Sequence, residues 1–363
     1  MRFFVGKNLV LAASIGLFLG NGSTAFAQQD PQMSQFYAAP LFINPAMAGG
    51  SMRPRVMANY RNQWPSLTAN YSTALFSADY YVDRFNSGFG VLLMNDSQGL
   101  GRLKTTEAAL QYSYQLKFNE ENSLRFGIQG SYVNIGLDTR GLTFGDQFSS
   151  APATRGFTGT SSDPFAKPLN NINTFDVGSG LLYYNPKFWI GAAGHHLAGQ
   201  RSGFTYSNTT GGTASTSPVD KIRKMSVHGG MNFKLNNANL TRFRRAAYED
   251  QDITLTVAAN YKTQGIAKQL DMGAYLTIQP MTVGLWYRGI PINPNTNDAV
   301  VALVGFRQDS FSVGYSYDIT VSGLGVGSGG AHEISVRYEF EPPDRYERMK
   351  LKRRKQELSC PKF

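Results

Sequence analysis

Four histidines and one cysteine are the residues of this chain best suited to catalysis or metal binding. His195 and His196 are adjacent in a stretch that reads as a strand, so their rings are expected on opposite faces, unable to grip one ion together. His228 and His332 fall in other strand-like stretches. No His-Asp-Ser arrangement is evident, so no enzymatic activity, metal or cofactor is expected. Cys360 is single, which excludes an intrachain disulfide and a cysteine metal site. The glycine-rich stretch 323–330, GLGVGSGG, lacks the following Lys-Ser/Thr and the helix of a phosphate cradle and reads as a loop. Arg242, Arg244 and Arg245 read as a solvated basic turn.

With catalysis set aside, the elements that would position any site come first. The amino terminus carries an export leader: Arg2 and Lys7 are basic, residues 9–19 are apolar, and Thr24-Ala25-Phe26-Ala27 ends in a cleavage signal, so the mature chain is expected to begin at Gln28. The apolar core is too short for a membrane anchor, and no cysteine follows it as in a lipoprotein. The whole chain has a mean hydropathy of -0.28 and no interior run long enough for a spanning helix. The formal charge of +10 does not by itself select a partner, and nucleic acid is not expected for an exported protein.

From residue 55 the sequence alternates with period two. In TVGLWYR (282–288), Val283, Leu285 and Tyr287 form one face and Thr282, Gly284, Trp286 and Arg288 the other. FSVGYSYD (311–318) and DITLTVAANY (252–261) behave alike. One face is apolar and the other small and polar, as lipid outside and a closed lumen inside require. Fourteen such segments follow one another: 55–61, 72–81, 87–95, 103–116, 123–136, 174–185, 188–196, 224–234, 252–261, 270–277, 282–288, 299–306, 311–318 and 332–340. Five of the six even-numbered connections are tight; the odd ones 137–173, 197–223 and 319–331 are long and rich in Gly, Ser and Thr. The exception is the long basic connection 235–251. The expectation is an all-β fold, a transmembrane antiparallel β-barrel of about 14 strands spanning 55–340 in the outer membrane, against a soluble sandwich as the alternative.

Tyr80 and Tyr81, Tyr183 and Tyr184, Phe188 and Trp189, Tyr287, Tyr315, Tyr317, Tyr338 and Phe340 are placed as headgroup-level girdles would be. Beyond the last strand, Pro342-Pro343 stops the sheet and 341–363 forms a basic tail that includes Arg353 and Arg354, expected in the periplasm as a docking arm or a solvated extension.

Residues 29–50, QDPQMSQFYAAPLFINPAMAGG, are irregular because of three prolines, yet too apolar to lie in water. Residues 28–54 are therefore expected to form a plug-like periplasmic segment, with Phe36, Tyr37, Leu41, Phe42 and Ile43 contacting the barrel or a partner and Phe36, Leu41, Phe42 and Ile43 narrowing the periplasmic mouth. The same stretch, with Tyr60-Arg61-Asn62-Gln63-Trp64 at the end of the first strand and the ending Cys360-Pro361-Lys362-Phe363, resembles the PorP/SprF family, outer-membrane proteins of the type IX secretion system of Bacteroidota associated with gliding motility. The resemblance implies export or surface anchoring of cargo with a C-terminal sorting domain, such as gliding adhesins, together with periplasmic machinery partners. Arg61 and Trp64 join the contact candidates on that basis. A channel for small or hydrophobic solutes, closed by an amino-terminal plug, is the competing reading.

Overall fold

The structure, a computed structural model, describes residues 30–139, 142–148, 161–163, 166, 169–199, 201–207, 213–215, 219–235, 253–290, 297–323 and 325–341. Fourteen strands form the barrel wall, in order: β1 (Arg55–Gln63), β2 (Tyr71–Val82), β3 (Ser87–Gln98), β4 (Leu103–Lys117), β5 (Ser123–Gly136), β6 (Ile172–Tyr184) and β7 (Phe188–His195). Then come β8 (Lys224–Leu235), β9 (Ile253–Gln264), β10 (Ala267–Ile278), β11 (Met281–Arg288), β12 (Ala299–Gln308), β13 (Phe311–Thr320) and β14 (Ala331–Glu339). Each pairs antiparallel with its sequence neighbours, and β1 closes on β14 with Arg55 opposite Glu339 and Gln63 opposite Ala331. The sheet has no free edge strand, because each strand is hydrogen-bonded to a neighbour on both sides.

The two-residue period decides which way each side chain faces. Val283, Leu285, Phe311 and Tyr315 are exposed on the outer wall, whereas Thr282, Trp286, Arg288, Ser312, Ser316 and Asp318 are buried inside. Phe175, 70% exposed, and Leu110, 69% exposed, belong to the same apolar exterior, which suits lipid. No described helix is long and apolar enough to cross a membrane.

The girdle needs one correction. Tyr81, Tyr184 and Trp189 are buried in the lumen, because each is the neighbour of an outward residue and successive strand residues alternate. The Arg125 guanidinium lies 5.3 Å from the centre of the Tyr81 ring. The long connections 137–171 and 196–223 share one end of the barrel with two tight ones, 99–102 and 265–266. In outer-membrane barrels the longer loops face outward, so this end is the outer one. Residues 236–252, the exceptional connection, lie outside the described residues, as do 342–363 with Arg353, Arg354 and Cys360, and as does the leader.

Candidate functional site in the lumen and at its outer mouth

Before β1 the chain makes only short helical turns, Phe36–Ala38, Pro40–Ile43 and Pro45–Met47, two of them opening on proline. Proline fixes φ for a helical start but cannot donate to a ladder, which keeps this segment out of the sheet. Its backbone groups must therefore find other partners, and the inward side chains of the wall supply them.

At the short-turn end, the Gly49 amide donates to Asp79 Oδ2 at 2.6 Å, and Asp79 pairs with Arg55 at 2.5 Å. Arg125 donates to the Ala48 and Gly49 carbonyls at 3.0 and 3.2 Å, and Ser113 to the Ala48 carbonyl at 2.7 Å. Midway, Gln111 donates to the Leu41 carbonyl at 2.7 Å. The Asn44 amide donates to the Leu181 and Ala192 carbonyls at 3.1 and 3.3 Å, while its oxygen accepts from the Ala46 amide at 2.9 Å. The backbone lies so close to the wall here that a Cβ at Gly127 would overlap Ala46, and one at Gly180 would overlap Asn44.

Apolar side chains fill the space between these anchors. Phe36, Tyr37, Ile43 and Met47 pack with Leu182, Tyr184, Trp189, Tyr275 and Trp286. Met33 and Leu41 pack with Met57, Leu75 and Leu92, and partly buried Phe42 joins them. Phe36 meets Trp286 edge-on at 4.9 Å, and Tyr37 meets Tyr275 edge-on at 4.5 Å. Full burial of side chains such as Leu41 and Met47 contributes roughly 1.5–3 kcal/mol each.

The outer end is held by charge. Ser34 donates from its hydroxyl to Asp318 Oδ2 at 2.6 Å and from its amide to Glu333 Oε2 at 2.6 Å. Its hydroxyl accepts from Arg61 at 2.5 Å and from Arg288 at 2.8 Å. Arg61 also pairs with Asp318 and Glu333, and Arg288 with Asp318 and Asp271. Gln35 binds Glu333, Ser316 and Ser335. A second cluster lies four residues upstream in the segment: Asp30 pairs with His196 at 2.8 Å and with Lys224 at 3.2 Å, and His196 also binds Asp176. Burial opposes charging of His196, but the Asp30 carboxylate and hydrogen bonds to Asp176 and Asp30 raise its pKa to about 9. Burial pushes Asp30 up, yet Lys224 and His196 beside it hold it well below the usual carboxylate range.

The segment therefore runs the length of the lumen, from partners at the outer ends of the strands to Asp79 beside the short turns, rather than sitting only at the periplasmic mouth. Arg61 points into the outer charge cluster, and Trp64 follows β1 with φ of 56°, its amide donating to the Gly330 carbonyl at 2.7 Å. The two adjacent histidines also differ from expectation. The strand ends at His195, and His196 takes φ of 59°, so alternation stops and both rings face inward: His195 lies 3.2 Å from the Ile43 carbonyl. Sequence reasoning missed Ser34, Gln35, Asn44, Asp30, Asp271, Asp318 and Glu333. For Asp271, Asp318 and Glu333 the available signal was charge on the inward, polar face of a strand.

A closed up-and-down antiparallel barrel with an apolar exterior and a charged interior is an outer-membrane β-barrel. The chain belongs to the PorP/SprF family, described as type IX secretion system membrane protein, whose model matches residues 25–338. No curated protein matches it. Similar solved structures include the outer membrane protein Omp33 of Acinetobacter baumannii, at 8% identity and TM-score 0.39 over 80% of this chain and 100% of that one. A Pseudomonas aeruginosa FadL homologue is similar at 14% identity and TM-score 0.42, over 82% and 98% of the two chains. The translocator domain of the autotransporter NalP from Neisseria meningitidis is similar at 8% identity and TM-score 0.40, over 92% and 98%.

Proposed function

We propose that this barrel serves type IX secretion as an anchoring and export component, not as a conduit. Membership of a family described as type IX secretion system membrane protein supports a role beside the secretion machinery. The observation that carries the finer reading is the lumen segment, whose backbone is bonded to wall side chains from Asp79 at one end to Glu333 at the other. A polypeptide could not be threaded past Phe36, Tyr37, Tyr275 and Trp286 without removing it. On this reading residues 28–54 plug the barrel after the leader is cleaved behind Ala27, and outer loops hold cargo bearing a C-terminal sorting domain, gliding adhesins among them. The basic tail, with Arg353 and Arg354, meets periplasmic machinery, and the outer wall meets lipid.

The test is a deletion strain. Specific secreted adhesins should be retained in the cell or lost from its surface, and normal surface display would overturn the proposal. The competing reading is a channel for small or hydrophobic solutes with a movable plug. Steady conductance of the intact protein in planar bilayers would favour it.

A further inference from the structure

A cavity of about 470 Å³ opens at the outer mouth, between the start of the lumen segment and the strand ends, within the usual range for small-molecule sites. Trp64 and Tyr71 supply its aromatic wall, edge to face at 5.3 Å. Asp96, only 1% exposed, accepts from Thr73 at 2.6 Å and from Gln98 at 2.6 Å, and among the described residues no cation pairs with it. Gln63 accepts from Arg61 at 3.3 Å, and Gln269 donates to Asp271 at 3.0 Å. Each of the three glutamines is thus fixed by one bond at one end of its amide. That leaves the Gln63 amino group and the Gln98 and Gln269 carbonyls for a ligand.

We propose that this vestibule binds a short neutral saccharide presented from outside the cell. Fixed amide donors and acceptors, with a buried carboxylate behind them, match a ligand that carries many hydroxyls, each both donor and acceptor. The paired aromatic rings match the C–H face of a sugar ring, which is apolar while its edges are polar. A ligand of either charge is the poorer fit, because carboxylates (Asp30, Asp96 and Asp298) and cations (Arg61 and Lys268) both line the cavity. The site stands independently of the secretion role, since it depends only on the barrel and on which end faces outward.

The intact protein, in an amine-oxide detergent so that no alkyl glycoside competes, is to be tested on an array of mono- to trisaccharides, with titration by isothermal calorimetry. At least one saccharide should bind saturably, and Trp64→Ala and Gln98→Leu should each weaken it by up to about tenfold. Phe175→Ala, on the outer wall, should leave it unchanged. If Trp64→Ala fails to give a folded barrel, Gln98→Leu alone decides. No binding by any saccharide, affinity unaltered by Gln98→Leu, or capture of an oligolysine peptide instead would overturn the assignment.

Discussion

The amide of Ser34 donates to Glu333 Oε2 at 2.6 Å, joining positions 299 residues apart in the chain. Glu333 lies on β14 directly opposite Arg61 of β1, so this one contact ties the lumen segment to the seam where the first and last strands meet. Both Glu333 oxygens are used, the second by the Gln35 amide at 3.1 Å.

Glu333→Ala should therefore strip the partner from two buried amides and leave Arg61 with less compensation. Breaking one partner of such a buried network costs about 3–5 kcal/mol. The heat-modifiable gel shift of the folded barrel should disappear at a lower temperature than in the parent. Glu333→Gln, which keeps an acceptor for the amides, should fall between them.

Conductance separates a filled lumen from an open one. The intact protein should be silent in planar bilayers, and removal of residues 30–50 should give stepwise opening, because the lumen then loses the apolar packing of Phe36, Leu41 and Met47. A silent deletion variant that still shows the folded-barrel gel shift would contradict the packing described.

The outer latch should respond to alkali. His196 is raised from 6.5 to about 9, so its contribution is complete below 6.5 and fades as pH rises through about 9. Asp30 is depressed below 3.8, so its contribution is present above 3.8 and fades only as pH falls through its lower folded value. The groups facing this pair include Asp176, Lys221, Lys224, His195, Glu107 and Asp96. Hydrogen exchange over residues 30–36 should be slow at pH 6 and accelerate across pH 8–10, beyond the intrinsic dependence (about a factor of ten per unit by base catalysis of amide exchange, a local-opening measurement). His196→Gln should remove the extra step.

Two glycines on one strand provide a paired test. Gly127 faces the Ala46 backbone, whereas Gly130 faces outward with open space around its missing Cβ. Gly127→Val should destabilise by about 1–3 kcal/mol through overpacking, and Gly130→Ala should be close to neutral. Thermal unfolding followed by circular dichroism in detergent would show equal midpoints if the segment were not seated against the wall.

Much of the wall was legible in the sequence. A strand between lipid and a lumen alternates strictly, so its faces follow from residue type alone. Every segment that was read from alternation corresponds to an observed strand, and β5 spans Ser123–Gly136 as read. The inward set Thr282, Gly284, Trp286 and Arg288 was likewise fixed by period two. Alternation failed where it ended, at His196, where φ turns positive; the girdle reading failed where alternation held, because one ring of each tyrosine pair must face inward.

What fills the lumen was decided only by the tertiary structure. The composition of 29–50 established that it is irregular and apolar and must dock, because its prolines exclude it from a ladder and its side chains exclude it from water. It carries no periodicity that sets a register against the wall. Its course depends on contacts such as Ser34 with Glu333, Asn44 with Leu181 and Gly49 with Asp79, between residues far apart in sequence. Those partners exist only once the sheet closes and brings the inward side chains of opposite strands around one axis.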